Sequence, residues 1–152
     1  MEPTGGQPQV DSIVVEYPTR VPGVARRLTL SPRERVLMRR RRYLVDGRPV
    51  ELATSYLPAN LVKGTAIAET NPGPGGIYAR LEELGHRLDH FDEEIRARMP
   101  DTDEARALQL GSGTPVLHLI RTAFDTEGMA VEVCDTVMSS EAYVLDYRLR
   151  AD

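Results

Sequence analysis

Four consecutive arginines, Arg39-Arg40-Arg41-Arg42, stand in a β-prone run of the 152-residue chain. Arginine is the side chain that holds carboxylates and phosphates through paired, charge-assisted hydrogen bonds. Strand alternation places Arg39, Arg41 and Tyr43 on one face and Arg40 and Arg42 on the other. A second feature is Asn71-Pro72-Gly73-Pro74-Gly75-Gly76 running into Ile77 and Tyr78. A helix starting there would offer unpaired N–H groups and a partial positive charge to an anion, although glycines serve equally to permit a tight turn. His86, His90 and His118 are scattered along the chain. His86, His90 and Asp92 come nearest to a metal-ligand spacing, but that spacing is common by chance, so no metal site is expected. Cys134, the lone cysteine, has no identifiable base and reads as a small buried hydrophobe. No convergent acid, base and nucleophile can be assembled, which points to binding rather than catalysis and to no cofactor.

These residues need elements to position them. Met1–Ser12 holds two prolines, two glycines and almost nothing apolar, and reads as a linker or frayed terminus. A β-prone run begins at Ile13, and Val21–Leu30 fits a short helix burying Val24 and Leu28. Arg35–Val45 and Pro49–Leu57 form strands around Asp46-Gly47-Arg48, with Pro58 closing the second. Ile77, Leu81 and Leu84 fall at helical spacing, with Gly85 as the C′ residue. Leu88–Met99 alternates as a long strand. Asp101 or Thr102 caps a helix to about Leu110, with Ala105 and Leu108 inward and Gly111 as its stop. Val116–Phe124 and Met129–Met138 flank Thr126-Glu127-Gly128, and Val144–Leu149 is expected to be a last strand. Hairpins separated by short helices, without a βαβ rhythm, indicate an α+β fold with a mainly antiparallel sheet.

The chain is one domain's length, with 41% hydrophobic and 28% charged residues. No apolar run approaches the ~18–20 residues that span a bilayer, and no signal peptide follows Met1. A soluble, cytoplasmic protein without a membrane partner is expected. The net charge of −4 hides an asymmetry: residues 1–80 carry 12 basic and 7 acidic side chains, residues 81–152 carry 7 and 16. A basic half invites a nucleic-acid reading. The arginines, however, split between strand faces, and nothing resembles a recognition helix.

Arg41-Arg42-Tyr43-Leu44-Val45-Asp46-Gly47-Arg48-Pro49-Val50, then Ala53-Thr54-Ser55-Tyr56-Leu57-Pro58, resembles the opening hairpin of the UTRA domain. UTRA is the effector-sensing half of the HutC subfamily of GntR-type bacterial transcription regulators. The resemblance continues in order through Gly76-Ile77-Tyr78…Leu81-Glu82…Gly85, Glu104-Ala105…Leu108…Gly113…Pro115-Val116-Leu117…Arg121, and Asp125…Gly128…Val131-Glu132…Tyr143. It implies a chorismate-lyase-like α+β fold with short helices on one side of the sheet, over residues 13–152. It further implies a buried effector pocket, a homodimer, and a winged helix-turn-helix DNA-binding domain upstream that this chain lacks. DNA contact is then expected only through that missing domain. The alternative is a small enzyme of the same fold acting on an aromatic or carboxylate substrate.

The resemblance also implies a ligand-binding set: Arg41, Tyr43, Ala53, Ser55, Gly76, Ile77, Tyr78, Glu132 and Met138. Arg41 matches the first arginine of a family Arg-x-Arg pair, whose second member is here Tyr43. Ala53 stands where the family often has glutamate, Gly76 where it has serine, and Met138 where a sugar-phosphate-binding relative has tyrosine. The remaining arginines are expected to face solvent or pair with the acidic second half. Arg41 shares a face and a row with Ala53 only if the turn holds an odd number of residues; a strict two-residue turn pairs it with Leu52. The four replacements remove charge or polarity, which predicts a ligand larger, flatter and less anionic than a sugar phosphate.

Overall fold

In the computed structural model the first hairpin, β2 (Val36–Val45) and β3 (Arg48–Pro58), is closed by a two-residue turn. Asp46 and Gly47 have φ of 51° and 76°, the left-handed pair that matches strand twist. That turn pairs Val45 with Arg48 and Leu44 with Pro49, and would carry Arg41 opposite Leu52. Instead a β-bulge follows at once: Tyr43 pairs with Glu51, and Arg41 with Ala53. Pro49, which has no N–H to give the ladder, stands at this irregularity, and Val50 is the extra residue. The expected register is therefore correct and its expected cause is not, because a bulge, rather than an odd turn, supplies the extra residue.

The described residues are 9–18, 21 and 23–151. Six antiparallel strands form one sheet in the order β1-β2-β3-β6-β5-β4. The others are β1 (Gln9–Glu16), β4 (Leu88–Arg98), β5 (Val116–Asp125) and β6 (Ala130–Ser139). Residues 9–12, read from sequence as linker, belong to edge strand β1; residues 1–8 of that linker lie outside the described residues. A bulge at Asp11 interrupts β1, so Val10 and Ile13, three apart, pair with Tyr43 and Arg41 on one face.

The helices divide between the two faces of the sheet rather than gathering on one side. On one face α1 (Val24–Arg27) and α4 (Thr102–Ala107) cover Val36, Val133, Val116 and Val137, with Val24, Leu28 and Leu108 as the buried anchors. On the other, α2 (Ala59–Val62), a 3₁₀ turn (Ala66–Ala68) and α3 (Gly76–Glu83) cover Leu37, Leu57 and Ala123. Leu81 ties α3 down; it is fully buried, which contributes about 1.5–3 kcal/mol. Gly85 at φ 91° ends α3, with N–H bonds from Gly85 to the Glu82 carbonyl and from His86 to the Leu81 carbonyl. Asp101 caps α4 in a reciprocal capping box with Glu104. The helix stops at Gln109 (φ 52°), with Leu110 N–H bonded to the Ala105 carbonyl, and not at Gly111.

The expected last strand, Val144–Leu149, does not form. Both neighbours of β5 are already in place, so residues 144–147 lie across the sheet face against Glu93, Leu119 and Arg121 instead. Tyr143, just before them, is buried in a cluster with Val45, Val50, Leu119 and Met138, and its hydroxyl donates to the Glu51 carboxylate.

Candidate functional site

A cavity of about 590 Å³ lies between the β1–β2–β3–β6 half of the sheet and the start of α3. Edge strand β1 contributes Val10 and Ile13, β2 contributes Arg39, Arg41 and Tyr43, and β6 contributes Glu132 and Cys134. The glycine loop and α3 close it with Thr70, Asn71, Pro72, Gly75, Gly76, Ile77 and Tyr78. Gly75 is required here: it has φ 83°, and a Cβ would stand 2.6 Å from that of Ala79. The loop can thus turn tightly into α3 and bring Ile77 and Tyr78 over the sheet.

The bulge in β3 sets the polar floor. Arg41 donates from Nη2 to Ser55 Oγ at 3.1 Å, and Ser55, fully buried, faces Cys134 Sγ at 3.8 Å. Burial opposes the Arg41 charge, but the neighbouring Tyr43, Cys134 and Glu132 outweigh it and hold the guanidinium above its ordinary value. Glu132 is 2% exposed. Burial pushes its carboxyl upward, and the Ser55 and Tyr78 hydroxyls, with the charges of Arg41 and Arg121, only partly counter that. Burial likewise raises the Cys134 thiol, with Glu132 adding to it, so it is no ready nucleophile.

Three buried atoms of these lining residues have no hydrogen-bond partner among the described residues: Arg39 Nε, Arg41 Nε and Glu132 Oε1. Buried polar groups are paired in nine cases of ten or better, so the residues lining this cavity hold three of the four such exceptions among the described residues, the fourth being Arg80 Nε.

Six of the nine residues singled out from sequence line the cavity: Arg41, Tyr43, Gly76, Ile77, Tyr78 and Glu132. Ser55 stands behind them as the partner of Arg41. Ala53 and Met138 do not line it. Ala53 is closed in between Arg41 and Thr136 in the ladder, and Met138 belongs to the Tyr143 cluster. Arg39 corrects another expectation, since it neither faces solvent nor pairs with a carboxylate. It is 2% exposed and donates to the backbone carbonyls of Ile67 (2.7 Å), Glu69 and Thr70 (3.0 Å), fixing the wall that leads into the glycine loop. Its shared parity with Arg41 was the available signal. Val10 and Ile13 gave none, because the Asp11 bulge breaks the period of two.

The histidines are dispersed: His86 Nδ1 meets Asp125 at 2.9 Å, His118 Nε2 meets Asp135 at 2.8 Å, and His90 stacks on Phe124. Among the described residues no three His, Cys, Asp or Glu side chains are grouped to hold a metal ion. No helix there is long and apolar enough to cross a membrane.

Comparison with known proteins identifies the architecture. The UTRA domain matches residues 4–144. An uncharacterized HTH-type transcriptional regulator of Streptomyces coelicolor is 37% identical over 112 residues, spanning 71% of this chain and 42% of the relative. The HTH-type transcriptional repressor PhnF of Mycolicibacterium smegmatis is 31% identical over 97 residues, spanning 64% and 39%. This chain thus spans about two fifths of the length of these curated relatives. In fold it is similar to the crystal structure of the PhnF effector domain, with a TM-score of 0.80 at 24% identity over 95% of this chain and 86% of that one. The C-terminal domain of the histidine utilization repressor of Pseudomonas syringae gives 0.79 at 17% identity, over 95% and 98%. The α+β, mainly antiparallel, chorismate-lyase-like fold is the one observed. By the match over residues 4–144, the chain belongs to the UTRA domain family.

Proposed function

We propose that this chain binds a small-molecule effector in the cavity beneath α3 and thereby controls a GntR-type, HutC-subfamily transcription regulator in the cytoplasm. The observation that carries the reading is one cavity of about 590 Å³ whose lining joins the charged residues Arg39, Arg41 and Glu132, each with an unpartnered buried atom, to the apolar Ile13, Ile77 and Tyr43. A cavity of this size with a few charged groups among apolar ones suits a small-molecule ligand. DNA contact belongs to a winged helix-turn-helix domain outside this sequence. Occupancy shifts the arrangement of a homodimer and so the spacing of its two DNA-binding domains.

The lining side chains restrict the ligand. Arg39 spends both terminal nitrogens on carbonyls and Arg41 spends one hydrogen of Nη2 on Ser55, so the pair offers a phosphate fewer donors than two free guanidiniums would. Glu132 requires a donor. A compound with one acceptor or single negative charge toward the arginines, a hydroxyl or amine toward Glu132, and an apolar body against Ile13, Ile77 and Tyr43 suits this lining. That ligand is less anionic than a sugar phosphate.

A thermal-shift screen tests this. Hydroxylated or amino-bearing aromatic monocarboxylates are expected to raise Tm. At a hundred times Kd the stabilisation is about 2.7 kcal/mol, or roughly 5–10 °C for a domain of this size. Arg41→Met and Glu132→Gln should abolish the shift. Strong stabilisation by amino-sugar phosphates with none by the monocarboxylates would overturn the ligand class. A shift that survives both substitutions would overturn the site.

A further inference from the structure

The pocket is physically connected to the C-terminal segment. Tyr78, on the pocket wall, packs its ring against Phe91 of β4, with centroids 5.9 Å apart. The Arg121 guanidinium lies over the other partner of that contact, 4.8 Å from the Phe91 centroid. Arg121 Nε donates to Glu93 Oε1 at 2.8 Å, and the second oxygen of Glu93 accepts from the Tyr147 hydroxyl at 3.0 Å. The sheet register repeats the connection. Arg121 pairs across the ladder with Cys134, which lines the pocket, and on its other side with Glu93. Two routes, one through rings and one along a cross-strand row, therefore meet at Arg121.

What lies at the far end is loosely held. Val144, Tyr147 and Leu149 are 69%, 54% and 84% exposed, and a hollow of about 190 Å³ lies between residues 144–147 and the sheet. Among the described residues, the bond from Tyr147 to Glu93 is the side-chain hydrogen bond that ties 144–149 to the sheet. Leu145 packs against the Tyr143 cluster as the half-buried anchor of the segment, and the rest of 144–149 is exposed, so a modest change at Glu93 shifts how far it is docked.

We propose that residues 144–149 form a lever whose docking is set by the state of the effector pocket, with Arg121 as the positioning residue between the two. A ligand seated beside Glu132 and Tyr78 shifts the Tyr78 ring, and that ring carries Phe91 and Arg121 with it. Glu93 then shifts against Tyr147. Each contact is individually weak, so the expected coupling is about fivefold in the docked population, at the low end of allosteric effects. The lever rests on the pocket being the effector site, but it is read without any ligand, so its failure is distinct from failure of the effector reading.

Amide hydrogen exchange on the whole chain is the test, with Tyr147→Phe, Glu132→Gln and the double variant. Tyr147 is exposed, so its variant keeps the fold; α4, on the opposite face, serves as the internal reference for general loosening. Tyr147→Phe is expected to speed exchange severalfold in 144–149 and also in the first turn of α3. By reciprocity Glu132→Gln changes exchange in 144–149, and the double variant changes it by less than the two singles combined. Effects confined to each variant's own segment, or fully additive ones, overturn the lever. Glu93→Gln, which weakens the bond from the acceptor side, must reproduce the Tyr147→Phe pattern at α3; a normal α3 in that variant overturns it equally.

Discussion

On the face covered by α1 and α4, Arg98 meets Glu104 through two hydrogen bonds of 2.7 and 2.8 Å, His118 meets Asp135 at 2.8 Å, and Arg27 meets Glu94 at 2.6 Å. On the face covered by α3, Arg39 and Glu132 are more deeply buried than any of these, yet Arg39 meets no carboxylate, and both keep an unpartnered atom. One sheet thus carries a face whose charges are matched within the chain and a face whose charges are left partly unmatched. The matched side needs nothing further to be stable. The unmatched side is stable only because the rest of the fold supports it, and that is the condition in which a ligand gains most by arriving.

The largest expected effect tests how far Arg39 belongs to the scaffold. Removing its guanidinium leaves the carbonyls of Ile67, Glu69 and Thr70 without their buried donor. Each unsatisfied group costs about 1–3 kcal/mol, and solvent recovers part of that, so Arg39→Met should lose about 3 kcal/mol in urea unfolding. A loss below 1 kcal/mol would mean that the wall of the pocket stands without it, and the contrast between the faces would be weaker than drawn.

The hairpins, the helix start at the glycine loop and the capping of α4 were legible in the sequence because each rests on local chemistry: an Asp-Gly turn, a glycine with positive φ, an Asp with Glu three residues on. The register of Arg41 was legible only by requiring that the site work, since the bulge after Pro49 leaves no sequence pattern of its own. The first half of edge strand β1, residues 9–12, was missed for the same kind of reason. Its Asp11 bulge hides the alternation that would have shown Val10 and Ile13 facing inward. The tail after Tyr143 looked like a strand because Val144–Leu149 has strand composition, but every place beside β5 is taken, and only tertiary structure decides that. Met138 and Ala53 share the right face with the site, yet sharing a face does not open a residue to a cavity: neighbours cover both.

A second, smaller effect has the opposite sign. Burial raises the Glu132 carboxyl, so the folded chain holds that proton more tightly than the unfolded one. Its contribution to stability is therefore full below the ordinary glutamate range and is lost as pH climbs through the raised folded value. Glu132→Gln removes the burden and should stabilise the ligand-free protein by about 1–2 kcal/mol near pH 7.5, with the gain fading toward about pH 4. Urea midpoints at the two pH values measure it. A variant less stable than the parent at pH 7.5 would show that the carboxylate is well satisfied already, and the pocket face would lose its distinction.

The smallest effect belongs to the matched face and runs with the opposite pH dependence. Arg98's hydrogen bonds hold Glu104 below the ordinary carboxylate range, ahead of the opposing effect of burial. A lowered carboxylate contributes stability that is present above the unfolded value and is lost as pH falls through the folded one. The pair is partly exposed, with side chains 32% and 15% accessible, so solvent screening limits Arg98→Met to about 0.5–1 kcal/mol near neutral pH. That cost should shrink as pH falls below the ordinary carboxylate range and Glu104 protonates, and it should fall in 1 M salt. Glu132→Gln and Arg98→Met thus predict pH profiles of stability that diverge from the parent in opposite directions toward neutral pH. If the two profiles diverged in the same direction, the faces would not differ in how their charges are balanced, and the unpartnered atoms of the pocket would carry no functional meaning.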